Sequence, residues 1–138
     1  DLQDNSISGP VPSEVGNCIE IASMYLQQNS LTGSIPSSLG MLTQLETLYL
    51  HENRLNSTIP LELGALALVR FSVRDNEISG SVPVELGGWS DSIEWLYLQG
   101  NRIVGDLDPI FCGGGGLDDA IDFEAFESDC LGNAGSSG

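Results

Sequence analysis

Leu45-Glu46-Thr47-Leu48-Tyr49-Leu50-His51-Glu52-Asn53-Arg54-Leu55-Asn56-Ser57-Thr58-Ile59-Pro60-Leu61-Glu62-Leu63-Gly64 is the stretch that decides the fold. Its apolar residues follow no helical spacing and alternate only briefly, at Leu48 and Leu50. The order is one short strand, a sharp bend marked by Asn53, then a looser return. Working outward, the same template recurs along the chain. Asparagine falls at Asn5, Asn29, Asn53, Asn76 and Asn101, at intervals of 24, 24, 23 and 25 by subtraction. Two residues after each comes Ile7, Leu31, Leu55, Ile78 or Ile103, and six after comes Val11, Ile35, Ile59, Val82 or Leu107. Ten after comes Val15, Leu39, Leu63, Leu86 or Phe111. Agreement in several registers at one period identifies a solenoid, whose coils bury their apolar faces against their neighbours.

The variant of repeat has its own signature. Leu31-Thr32-Gly33-Ser34-Ile35-Pro36 and Ile78-Ser79-Gly80-Ser81-Val82-Pro83, each followed by Leu-Gly, resemble the plant-type leucine-rich repeat (L-T-G-x-I-P-x-x-L-G). The resemblance runs over residues 1–112, about four and a half coils of 23–25 residues. It implies an α/β-type repeat solenoid: a right-handed superhelix with a parallel β-sheet on the concave face and an irregular or 3-10 convex side. A short second sheet is implied near Pro12, Pro36, Pro60 and Pro83. Further on, Phe111-Cys112, a spacer and Phe123-Glu124-Ala125-Phe126-Glu127-Ser128-Asp129-Cys130 are similar to the C-terminal cap (F-C … L-x-x-L-x-A-D-C) of secreted leucine-rich repeat proteins of diatoms and related algae. Those caps often continue into a cysteine cluster, whereas this sequence ends in Gly135-Ser136-Ser137-Gly138. The resemblance implies a disulfide between Cys112 and Cys130, pinning an aborted sixth coil at 117–132 onto the fifth across the Gly113–Gly116 link. A closed loop of that size stabilises by about 3 kcal/mol in the loop-entropy model, and it implies secretion. Residues 133–138 read as a disordered tail.

The chain has 138 residues, with 20 acidic against 4 basic, net −16, and every basic residue is an arginine. That balance argues against nucleic acid and anionic membrane surfaces as partners. No apolar run approaches the ~20 residues of a membrane span, so no membrane contact is expected of this segment. There is no start methionine or signal peptide, and Asp1 to Gly16 read as the second half of a coil. The expectation is therefore a fragment or processed piece that lacks its N-terminal cap. Cys18, in the slot of Leu42 and Ala65, reads as a buried free thiol acting as a small apolar residue, or alternatively as the partner of a cysteine in that cap.

Within the coils the inward positions are Ile21, Met24 and Leu26; Leu45, Leu48 and Leu50; Leu68, Phe71 and Val73; and Ile93, Leu96 and Leu98. The structural asparagines Asn29, Asn53, Asn76 and Asn101 are expected to satisfy backbone groups at the bends. Gly9, Gly33, Gly80 and Gly105 mark reversals consistent with positive φ. Ser57 stands in that place in the third coil, so the bend there is expected to tolerate a side chain. Asn56-Ser57-Thr58 is the chain's single glycosylation sequon.

Catalytic chemistry has little to work with. There is one histidine, no lysine, no phosphate-binding glycine loop, and neither C-x-x-C nor H-E-x-x-H. Six acids between Asp118 and Asp129 lack the order of an EF-hand and read as a solvated cap surface. No enzyme activity, cofactor or metal is expected. Binding is a different matter. Residues between the core positions alternate outward onto the concave face. One lane reads Tyr25, Tyr49, Ser72, Tyr97, with Trp95 and Arg70 beside it, and the next reads Gln27, His51, Arg74, Gln99. Tyrosine, tryptophan and arginine are the usual interface anchors. Ser72 leaves a gap of roughly 10 Å, two strand spacings, between Tyr49 and Tyr97. Arg70 and Arg74 border it, where a carboxylate would dock, although Arg74 also has Asp75 and Glu52 to neutralise. The sequence thus points to a monomeric, extracellular or cell-surface recognition module for a protein, peptide or glycan. Two alternatives stand beside it: an ectodomain fragment of a receptor-like kinase, and a wall-associated structural protein with no dedicated ligand.

Overall fold

The computed structural model describes residues 1–105. Each coil contributes an inner strand of three residues: β2 (Ser23–Tyr25), β4 (Thr47–Tyr49), β6 (Arg70–Ser72) and β8 (Trp95–Tyr97). They pair in parallel in the order β2-β4-β6-β8, because every coil repeats the last and presents its strand in the same direction. After the bend comes an outer strand: β1 (Ser8–Pro10), β3 (Ser30–Gly33), β5 (Arg54–Leu55), β7 (Ser79–Ser81) or β9 (Arg102–Val104). These form the second layer expected near the prolines, in two pieces, β1-β3-β5 and β7-β9. Between the pieces, Glu77 and Ser79 N–H still donate to Leu55 and Ser57 C=O, both at 2.8 Å. The convex side is made of 3-10 turns at Ser13–Asn17, Ser37–Met41, Leu61–Ala65 and Val84–Trp89.

A proline enters each turn, with Pro12, Pro36, Pro60 and Pro83 all near φ −65° and extended in ψ. Proline holds that φ without strain, and the N–H it lacks would have no partner within the turn. The turns then stack closely because Gly16 and Gly40 face the backbone oxygens of Ser38 and Glu62, each 2.5 Å from where a Cβ would sit. Any side chain there would push the coils apart.

The predicted inward residues of the three coils from Leu45 to Leu98 are all buried, from Leu45, Leu48 and Leu50 through Ile93, Leu96 and Leu98. In the coil before them Met24 is buried, while Ile21 and Leu26 are partly so. The uneven period also has a location. Leu42 is followed by two residues before the core leucine Leu45, Leu66 by one before Leu68, and Trp89 by three before Ile93. The change is thus confined to the junction between convex turn and inner strand, leaving strands and bends in register. Trp89, in the slot of Leu42 and Leu66, is fully buried, donates from Nε1 to Leu63 C=O at 2.9 Å and meets the Phe71 ring edge-on at 5.2 Å. Its six-residue turn takes up the longer spacing, with Ser92 and Ile93 N–H both bonded to Trp89 C=O at 2.8 Å.

Two expectations are corrected. Cys18 is not buried: its thiol is free and exposed. It closes the Ser13–Asn17 turn of the first coil. The slot it shares with Leu42 is filled in the third coil by buried Leu66, with Ala65 one residue off and exposed. Four expectations lie outside the described residues: the Cys112–Cys130 pairing, the glycine link, the acidic cap and the tail.

The bends follow a shared scheme. Asn53 Oδ1 accepts from Leu31 N–H of the preceding coil at 2.9 Å, while Nδ2 donates to the carbonyls of Leu50, His51 and Leu26 at 3.0, 3.2 and 3.0 Å. Asn29, Asn76 and Asn101 repeat this, accepting from Ile7, Leu55 and Ile78 at 3.0, 2.9 and 3.0 Å. One feature was not legible beforehand: the residue before each asparagine is left-handed. Asp4, Gln28, Glu52 and Asp75 have φ of 53, 56, 55 and 54°, and Gly100 has 69°. The expected glycine reversals are positive too, Gly33 at 78° and Gly80 at 81°, and Ser57 takes the same conformation at 76° with its side chain in place.

Candidate functional site

The inner sheet presents three lanes. Registered pairing places Ser23, Thr47, Arg70 and Trp95 in the first and Tyr25, Tyr49, Ser72 and Tyr97 in the second. Gln27, His51, Arg74 and Gln99 follow in the third, where Gln28, Glu52 and Asp75 N–H donate to the His51, Arg74 and Gln99 carbonyls at 3.0, 3.0 and 2.9 Å. All three lanes face out because strand residues alternate and the intervening Met24, Leu48, Phe71 and Leu96 are in the core. Every concave-face residue predicted from the sequence is therefore on one surface.

The aromatic residues form two groups, not one row. Tyr25 meets Tyr49 edge-on at 5.6 Å, and Tyr49 meets the His51 ring likewise at 5.6 Å. At the other end Trp95 and Tyr97 lie nearly parallel at 6.2 Å, and Trp95 is 43% exposed, a flat platform. Between the groups is Ser72. The expected opening there is closed: Ser72 is only 2% exposed, so neighbouring side chains cover the small residue.

The two arginines differ. Arg74 pairs with Glu52 at 2.5 Å and Asp75 at 2.9 Å, so its charge is already compensated. Among the described residues Arg70 has one 3.4 Å contact, with Glu94, and its side chain is 44% exposed. Of the two arginines Arg70 is the less compensated and the better placed to meet an acidic group. His51 is held below its ordinary value of 6.5, first by burial and then by the Arg74 guanidinium, with Glu52 and Asp75 pulling the other way. Burial is also the main cause that raises Tyr49, so its hydroxyl keeps its proton and can donate.

A signal absent from the sequence reading sits on this same face. Four buried side-chain polar atoms lack a hydrogen-bond partner among the described residues: Gln27 Oε1, His51 Nδ1, Ser72 Oγ and Gln99 Oε1. All four belong to the second and third lanes, one on each successive coil. An orphaned buried polar atom costs about 1–3 kcal/mol, so this face carries hydrogen-bonding capacity that the fold does not use. Only side-chain placement could have exposed it. Elsewhere, a groove of about 580 Å³ runs past the proline-entered turns of the first three coils, lined by Pro12, Pro36, Pro60, Ser57 and Thr58 among others. Among the described residues no cluster of histidine, cysteine and carboxylate could hold a metal, and no helix is long and apolar enough to cross a membrane.

Comparison with known proteins identifies the repeats. Residues 21–42, 44–66 and 92–113 match the leucine-rich repeat, and the chain folds as a leucine-rich repeat solenoid. Among solved structures it is similar to a chain of the BIR3–SERK2 complex from Arabidopsis thaliana, at 33% identity and TM-score 0.75, covering 87% of this chain and 64% of that one. It is also similar to the plant peptide hormone receptor RGFR1 in complex with RGF2, at 37% identity and TM-score 0.71, covering 73% and 16%. A third is the Arabidopsis receptor kinase HAESA in complex with the peptide hormone IDA and the co-receptor SERK1, at 33% identity and TM-score 0.69, covering 73% and 17%. The chain thus spans less than a fifth of either hormone receptor. No curated protein matches it in sequence.

Proposed function

We propose that this solenoid is a non-catalytic, extracellular recognition segment that binds a peptide across the concave sheet. The observation that carries the proposal is the set of orphaned polar atoms on Gln27, His51 and Gln99, which lie in one lane beside the two aromatic groups. A peptide backbone supplies both donors and acceptors along its length, which suits such a row. Tyr25, Tyr49, Trp95 and Tyr97 offer rigid contact area with polar tips, and Arg70 offers a site for a carboxylate. The Gln amides are equally suited to sugars, but peptide partners are favoured because two of the similar receptors hold peptide hormones.

The likeness to plant receptor ectodomains also supports a second reading, in which the segment belongs to a receptor-like protein at the cell surface. The cap motif at Phe111-Cys112 and Cys130, with its resemblance to secreted algal proteins, supports secretion and a Cys112–Cys130 disulfide. In either reading the concave face lies outside the cell. The test is a binding screen against secreted peptides and cell-wall glycans, followed by Tyr49→Ala and Arg70→Ala. For the peptide that binds, each change is expected to weaken affinity at least tenfold, about 1.4 kcal/mol. A ligand indifferent to both changes, or a glycan as the sole ligand, contradicts the proposal.

A further inference from the structure

The groove beside the sequon differs in character from the rest of the surface. Proline rings, from Pro12, Pro36 and Pro60, and hydroxyls, including those of Ser37 and Thr58, line it, and no charged side chain does. In a chain of net −16 a neutral recess of about 580 Å³ is unfavourable ground for a basic or acidic partner. Apolar ring faces next to hydroxyls suit a neutral sugar, which has C–H faces and hydroxyl edges of its own. The source of such a sugar is adjacent. Ser57 and Thr58, two residues of the Asn56-Ser57-Thr58 sequon, are part of the lining, and Asn56 itself is exposed.

We propose that Asn56 carries an N-linked oligosaccharide whose first sugars lie in this groove, against Pro36 and Pro60. In the modification the Asn56 side-chain nitrogen attacks C1 of a lipid-diphosphate-linked oligosaccharide. An N–C1 bond forms, the C1–O bond to diphosphate breaks, the amide loses one proton, and the lipid diphosphate leaves. The root of the glycan is well fixed: Asn56 N–H donates to Gly33 C=O at 2.9 Å, and Ser57 turns the chain at φ 76° towards the groove-lining Thr58. The groove spans the first three coils, so a sugar seated there covers the outer flank and leaves the concave lanes free. The inference shares the secretory route with the proposed function but does not depend on any concave-face ligand.

The experiment uses the full chain, secreted from a eukaryotic host, beside Asn56→Gln. Mass spectrometry is expected to find one N-linked glycan, at Asn56, lost in the variant. Nuclear Overhauser contacts are expected from the sugar ring and N-acetyl protons to the ring protons of Pro36 and Pro60, whose resonances shift in Asn56→Gln. An unmodified Asn56 overturns the inference, and so does a glycan whose contacts stop at Asn56 itself. Peptide binding measured on Asn56→Gln is expected to be unchanged, so failure of the concave-face reading would be seen separately.

Discussion

The asparagine bends and the concave lanes recur at the same period, and both present buried polar side chains, yet they end in opposite states. At the bends the Asn53 Nδ2 shares its two hydrogens among three carbonyls and Oδ1 accepts from Leu31 N–H, so both ends of the amide are partnered. A few ångströms along the same coil His51 Nδ1 has no partner among the described residues, and Gln27, Ser72 and Gln99 on other coils repeat the pattern. A polar group that the fold has satisfied is there for the fold. One that the fold leaves orphaned at a cost of about 1–3 kcal/mol is tolerated for some other reason, and binding is the reason proposed. Mutations should separate the two regions: stability lost at one, affinity at the other.

The largest expected effect is in the core that both regions lean on. Trp89→Ala removes a fully buried ring, its contact with Phe71 and the donor to Leu63 C=O. Truncations of this kind cost about 3–5 kcal/mol, read as a lower urea midpoint. A loss under about 1 kcal/mol would mean the fourth turn is not packed as described. Next comes Asn53→Ala, which strands Leu31 N–H and several carbonyls and is expected to cost about 1–3 kcal/mol. In contrast, Tyr97→Ala on the concave face should change stability by less than about 1 kcal/mol. If the two midpoints shift equally, the contrast between bends and lanes is broken.

The smallest effect sharpens the comparison through pH. His51 is depressed in the folded state, so the unfolded chain takes up the proton more readily. Stability rises with pH wherever the unfolded state binds more protons. The part that His51 contributes is therefore complete above 6.5 and is lost as pH falls through that value. His51→Gln is expected to flatten this decline when denaturation midpoints are compared at about pH 7.5 and about pH 5.5. Parallel declines in the two proteins would show that His51 is solvated like any surface histidine.

Much of this was legible in the sequence because repetition multiplies a weak signal. A single Asn53 or Leu50 says little, but asparagine in five successive coils and an apolar residue at the Leu50 place in four fix strand, bend and return, and alternation then assigns each inner-strand residue to core or concave face. What stayed hidden depended on departures from the repeat. Trp89 is one: it lies thirteen residues after Asn76, as Leu42 and Leu66 do after Asn29 and Asn53, but a tryptophan breaks the leucine pattern of that slot. Cys18 is another, since periodicity assigns a slot but not the covering neighbour that makes it buried. The left-handed residues before the asparagines are chemically mixed, Gln28, Glu52 and Asp75 among them, and so leave no compositional trace. At the candidate site the lane membership and the pairing of Arg74 with Glu52 and Asp75 were legible, but the closing over of Ser72 and the orphaned atoms were not. Those are set by rotamers, and rotamers by neighbours.

The claim that the concave sheet is the binding surface is tested most directly by mapping backbone amide shifts on adding the peptide selected by the screen. The account predicts that the perturbed amides cluster on β2, β4, β6 and β8 and the residues just after them, centred on Tyr49, His51, Ser72 and Tyr97. Perturbations confined to the proline-entered turns or the outer strands, with the inner sheet unmoved, would contradict it.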